Sequence, residues 1–320
     1  MNKYQKRVQK QLLKNEREIL KELEDIYQQA LNDIMAQIAY LQARTDTQNL
    51  QSIIYQLEYQ QALKTQISAI LDQLHNNEFK SISDYLVKCY EESWIGTLYD
   101  LQNQGIPLIF PINQKQVVEA LLIDTKLSDT LYKRIGIDIT ELKSKIKSVV
   151  SRGISQSYSY EKISKLIYDE FNNPELNAIR IARTEGHRIS QEATYNVQVE
   201  AKKNGADIVK EWDATLDSKT RPSHQFLDGQ IVDIDKPFKN ADGDEAMYPG
   251  GFGIASEDIN CRCCVVQRAK WNLNNGKFTK MNGENNKLME FKNKEDYDKF
   301  KAEFWKWSDK KWLKLYLVNL

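Results

Sequence analysis

The chain has 320 residues, 45 Lys and Arg against 45 Asp and Glu, and 41% hydrophobic residues. That composition excludes a collagen, a mucin-like stalk or a wholly disordered chain, and it supplies apolar material for a sizeable core. Position says more: the first glycine is Gly96 and the first proline is Pro107, so the N-terminal stretch holds no helix breaker, which argues for long helices and against an all-β protein.

Between Lys3 and Gln42 the apolar residues Val8, Leu12, Ile19, Leu23, Ile26, Ala30, Ile34, Ile38 and Leu41 recur mostly at three, four or seven, the pattern of an amphipathic helix. Asp46-Thr47-Gln48-Asn49 offers a turn and a new N-cap. A second helix is expected from Thr47 to Leu74, broken at Asn76-Asn77, and a third from Ser81 to Gln102. Shorter helices are expected at 114–123, 128–134, 138–152 and 160–171. Asn173-Pro174-Glu175 reads as a fresh helix start, with Asn to cap, Pro for the first turn and Glu for the positive end of the dipole. That helix is expected to reach Lys203, where Asn204-Gly205 ends it.

Beyond Gly205 glycine becomes frequent. Residues 208–212 and 230–234 alternate like short strands, and 261–268 reads as a third. A last amphipathic helix is expected over 294–318. The fold class is therefore α+β and predominantly α: long N-terminal helical hairpins and a helical middle, a small loop-rich β-containing module, and a C-terminal helix. The expected domains are a helical arm (1–104), a helical middle (105–172), the α+β module (173–268) and a basic tail (269–320). From Gln267 to Leu320 there are 13 Lys/Arg and 7 Asp/Glu, a net of +6. Such a tail can face DNA or an acidic surface, or be a solvated helix face.

No run of about 18 apolar residues is present, so no membrane-spanning helix and no membrane partner are expected. The polar start Met1-Asn2-Lys3 lacks the apolar core of a secretion signal, which points to a cytoplasm.

Candidate chemistry gathers in the module. Arg183 and Glu185 lie two apart on a helix, about 200° around its axis, so each is expected to anchor a different neighbour rather than share a substrate. A core-bordering Arg wants a carboxylate, with Asp213 and Asp217 as candidates. In the segment Trp212–Gln230, Thr220 and Pro222 can start a short helix that places His224 and Asp228 one turn apart, and Asp228-Gly229 is a tight-turn dipeptide. His224 reads either as a packed histidine or as a base or metal ligand. Pro249-Gly250-Gly251 allows close backbone approach, but no Lys-Ser/Thr follows, so a nucleotide P-loop is not supported. In Asn260-Cys261-Arg262-Cys263-Cys264, alternation places Cys261 and Cys263 on one face and Cys264 on the other. His224, Cys261 and Cys263 form a candidate zinc ligand set; no other cofactor and no catalytic residue is assigned.

In order, Ala182-Arg183-Thr184-Glu185, Trp212-Asp213, Arg221–His224, Asp228-Gly229-Gln230, Pro249-Gly250-Gly251 and Asn260-Cys261-Arg262-Cys263 resemble the hallmark module of the minor head, or head morphogenesis, family of tailed phages, to which the F protein of phage Mu belongs. The likeness covers roughly 140–268. It implies a structural role: a few copies inside the virion head near the portal vertex, contacts with the portal and other head proteins, action in head assembly or in DNA packaging and ejection, and passage through the host cytoplasm during assembly. Some relatives fuse the module to a toxin; the 54 residues after Val266 are too few for a sizeable one. The competing reading is an enzyme or effector on the same module, ADP-ribosyltransferase-like or nuclease-like, using Arg183, Glu185 and His224. No acidic metal cluster supports a nuclease.

Overall fold

The computed structural model describes residues 3–45, 53–108, 110–112, 116, 120, 131–156, 158, 160–273, 278–281, 288–291 and 295–304. The elements in order are α1 (Lys3–Thr45), α2 (Ile53–Asn103), α3 (Leu131–Ser155), α4 (Tyr160–Lys203), β1 (Ile208–Asp213), α5 (Pro222–Leu227), β2 (Ile231–Asp233), β3 (Phe238–Lys239), β4 (Glu245–Ala246), α6 (Ala255–Asp258), β5 (Cys264–Ala269), a 3-10 turn at Lys270–Asn272, β6 (Phe278–Met281) and β7 (Leu288–Phe291). Residues 295–304 are helical. The fold is α+β and mostly α. No helix among the described residues is long and apolar enough to cross a membrane.

Two expected breaks do not occur. The helix α2 runs through Asn76-Asn77, because Leu63, Ile67, Leu71, Leu74, Glu78, Ile82 and Leu86 form one unbroken buried stripe while both asparagines face solvent. Two exposed Asn cost about 0.7 kcal/mol each against Ala, less than the burial of the stripe contributes. Likewise α4 runs through Pro174. Proline there removes one backbone hydrogen bond and crowds the preceding turn, at about 3 kcal/mol. Its ring is buried, in register with Ile163, Ile167, Phe171, Ala178 and Ala182, and that packing offsets the cost. The expected helices 128–134 and 138–152 are one helix, α3, from Leu131. The expected helix 114–123 lies outside the described residues except at 116 and 120, and the expected 294–318 helix is described only over 295–304.

The chain divides into two compact units: Met1–Lys14, Val87–Ala120 and Thr184–Leu320 form the first, and Asn15–Leu86 with Leu121–Arg183 the second. The second is helical. Its core carries a buried acid: Glu78, 1% exposed, accepts a hydrogen bond from Tyr27 Oη at 3.1 Å. Burial pushes the Glu78 carboxyl up to about 8 from its ordinary 4.5, against the Tyr27 hydrogen bond and with help from Asp138. The folded unit therefore holds a proton that the unfolded chain has released between those values, so stability is fullest below pH 4.5 and falls as pH rises to about 8. Glu78→Gln keeps an acceptor for Tyr27 and removes the titration. It is expected to raise the melting temperature at pH 9, by about 1–2 kcal/mol of stability, and to flatten the loss between pH 5 and 8; an unchanged pH profile would contradict the assignment.

In the first unit, β1 is the middle strand of an antiparallel sheet ordered β2-β1-β5, with Lys210 opposite Val232 and Gln267, and Trp212 opposite Val265. All six β1 residues are buried, so this strand is covered on both faces rather than alternating in and out. Its charges are each met: Glu211 Oε2 accepts from Arg268 Nε at 2.6 Å, and Lys210 Nζ donates to the Met247 carbonyl at 2.9 Å. Burial pushes the Lys210 ammonium down to about 7. The first glycine now has a reason: a Cβ on Gly96 would lie 2.5 Å from Val8 Cγ2, so only glycine permits that approach.

Candidate metal-ligating centre and the family module

Trp212, next to last in β1, lies inside a cluster with Leu227, Phe238, Phe252, Cys261, Cys263 and Val265. Its ring meets Phe238 edge-on at 5.2 Å and His224 at 5.6 Å. The short α5 begins on Pro222, with Arg221 extended before it (φ −60°, ψ 147°), as proline at a first helical position favours. One turn carries His224 inward to 2% exposure.

His224 Nδ1 lies 3.2 Å from Cys263 Sγ and 3.7 Å from Cys261 Sγ. On the other side Nε2 lies 3.0 Å from Glu257 Oε2, an ion-pair contact rather than an aligned hydrogen bond. Ser223 Oγ donates to the same Glu257 oxygen at 2.8 Å. Burial alone would lower the His224 pKa; Cys263 and Glu257 beside it raise it instead, while burial pushes the Cys263 thiol well up.

The cysteines reach this ring differently from the expectation. Strand β5 starts only at Cys264, so Cys261 and Cys263 precede the ladder. Asn260 takes a left-handed φ of 55°, a conformation that Asn tolerates better than most residues, and its N–H donates to Thr184 Oγ1 at 3.3 Å. That turn sends Cys261 and Cys263 to His224, while Cys264 Sγ approaches Gln9 Oε1 at 3.5 Å. Arg221 closes the centre by donating to the carbonyls of Glu257, at 3.0 Å, and of Ile259.

His224 and Asp228 do not act together. Asp228 lies just past α5, where Oδ1 accepts from the Ala214 N–H at 2.8 Å and the carboxylate also takes Lys280 Nζ and Tyr297 Oη. Asp213 pairs with Lys280 at 2.5 Å. Burial would raise the Asp213 carboxyl, but Lys280 beside it holds it well below the usual range. Arg262 grips Asp217 with both guanidinium nitrogens, one at 2.7 Å to Oδ1. Neither aspartate is the partner of Arg183, which pairs with Glu16 at 2.9 Å. Glu185 accepts from Arg188 Nε at 2.8 Å; Arg188 also reaches Glu192 at 2.7 Å and the Ala120 carbonyl at 2.9 Å. The Pro249-Gly250-Gly251 loop lies on this residue: Gly250 has φ +83°, and a Cβ there would sit 3.3 Å from Arg188 Cα.

Three contributors escaped the sequence reading: Glu257, Lys280 and Tyr297. Glu257 stands in the polar run Ser256-Glu257-Asp258, which resembles any exposed turn. Lys280 and Tyr297 meet Asp228 across 52 and 69 residues, a separation that leaves no local pattern.

Residues 144–266 match the family described as Phage Mu protein F like protein. Over 276 residues the chain is 34% identical to NAD(+)--arginine ADP-ribosyltransferase EFV of Enterococcus faecalis (strain ATCC 700802 / V583), a match that covers 83% of this chain and 55% of that protein. Over 188 residues it is 28% identical to Minor head protein GP7 of Bacillus phage SPP1, covering 58% of this chain and 61% of that protein. The chain thus spans little more than half the length of these curated relatives. No solved structure matches. The likeness to the phage Mu F-like head morphogenesis family thus lies in the module at residues 144–266.

Proposed function

We propose that the chain is a structural minor head protein of a tailed phage, carried in the head near the portal vertex and acting in head assembly or in DNA packaging and ejection. One observation carries this reading: the polar family-motif residues spend their bonds on other groups of the chain. Arg221 ties two carbonyls, Asp217 takes Arg262, Asp228 takes Lys280 and Tyr297, and Glu185 takes Arg188. Residues engaged in this way brace a fold. Portal and other head proteins are the proposed partners, and the +6 segment from Gln267 is the proposed DNA-facing element, since DNA attraction scales with the cations presented.

The enzyme reading has one specific support, the relative named as an arginine ADP-ribosyltransferase, of which 55% is matched. That name describes the relative. In the account proposed here His224 and Glu185 are structural, so purified chain given NAD+ and an arginine acceptor transfers nothing. Transfer abolished by Glu185→Ala in a still-folded protein would establish the enzyme instead. Deletion of the gene is expected to cut the yield of infectious particles, with rescue by the wild-type chain; a full yield without it would overturn the head role.

A further inference from the structure

We propose that His224, Cys261 and Cys263 bind one Zn2+ ion, with Glu257 orienting the imidazole. Their ligand atoms, Nδ1 and two Sγ, lie within 4.8 Å of one another, and all three residues are buried. Around a tetrahedral zinc with bonds of about 2.0 Å to nitrogen and 2.3 Å to sulfur, N···S separations are about 3.5 Å; here they are 3.2 and 3.7 Å.

Hydrogen bonding accounts for the arrangement less well. A ring Nδ1 has a single in-plane site, one proton or one lone pair, so it serves one thiol and not two. A cation at the centre of the triangle satisfies both sulfurs and the ring at once. Imidazole with two sulfurs is a soft donor set that suits zinc over magnesium or calcium. The surroundings match a metal-bound histidine as well. The other ring nitrogen faces a carboxylate at 3.0 Å, which is how such a histidine is commonly oriented. Ser223 fixes that carboxylate at 2.8 Å, and Arg221 fixes the C-terminal end of α6 through the carbonyls of Glu257 and Ile259. Asp258 is not the fourth ligand: its oxygens accept the N–H groups of Phe252 at 3.2 Å and Gly253 at 2.7 Å. At 2–4% exposure of the three residues, the ion staples α5 to the turn before β5 and contributes its binding energy to folding.

The full chain, expressed with added zinc and purified without chelator, is expected to carry about one zinc per chain by elemental analysis. Exchange into Co2+ should give the absorption bands of a tetrahedral thiolate site. Chelator should lower the melting temperature, and Zn2+ should restore it. Glu257→Gln is expected to keep the stoichiometry at saturation and weaken binding by about 10–100-fold. Cys261→Ser with Cys263→Ser should abolish both zinc and the cobalt bands; if that variant does not fold, the wild-type measurements decide alone. Folded wild-type chain with under about a tenth of a zinc and no cobalt spectrum would overturn the proposal, as would a folded double variant that retains full zinc.

Discussion

Replacing Lys280 with methionine is expected to destabilise the first unit by about 3–5 kcal/mol, the range for removing one partner from a buried ionic cluster. The Lys280 side chain is 1% exposed and those of Asp213 and Asp228 are 8% and 0% exposed. With the ammonium gone, two carboxylates share a dry site, with only hydrogen bonds such as those from the Ala214 N–H and Tyr297 left to hold Asp228. The pH dependence gives the test a sign. In the wild type Asp213 is held below its ordinary range, so its contribution is fully present above about pH 4, the unfolded value, and is lost as pH falls further. In the variant Asp213 loses the Lys280 charge, and the burial that this charge had overcome pushes its carboxyl up. The deficit is therefore largest near neutrality and shrinks toward pH 4. Urea unfolding at several pH values measures it, and Asp213→Asn in the Lys280→Met background should recover part of the loss. Equal stability of Lys280→Met and wild type at pH 7 would show that the cluster does not hold the module.

Trp212 is the second sensitive point. Trp212→Ala removes the ring on which Phe238, His224 and Phe252 pack, at 5.2, 5.6 and 5.8 Å, and is expected to cost about 3–5 kcal/mol, as for other large-to-small core changes. Trp212→Phe is expected to cost under half of that. The indole N–H is buried and has no hydrogen-bond partner among the described residues, so phenylalanine gives up ring volume but no bond. Thermal unfolding of the two variants should separate them by several degrees. Equal losses would mean that the N–H is engaged by a group outside the described residues.

The sequence made the helical part readable because a long amphipathic run without Gly or Pro has few alternatives. It misled where local propensity and tertiary packing disagree: Asn76-Asn77 and Pro174 are poor helix residues, but a buried stripe carries each helix through, with the asparagines on its solvent side and the proline within it. Short strands are legible in the sequence at 208–212 and 230–234, though not their antiparallel pairing. The complete burial of β1 was not, because Lys210, Glu211 and Asp213 look like solvent-facing residues until their partners at Met247, Arg268 and Lys280 are known. In the site, the convergence of His224 with Cys261 and Cys263 was legible as residue types. The Asn260 turn that delivers the cysteines, and the Glu257 carboxylate behind the ring, depend on contacts between segments and were not.

The proposed place of this chain in a phage head is tested by quantitative mass spectrometry of purified particles, full and after DNA release, from a phage that carries its gene. Tryptic peptides of the chain are expected in full particles at a few copies per head, far below the major capsid protein. Highly purified particles free of the chain would contradict it.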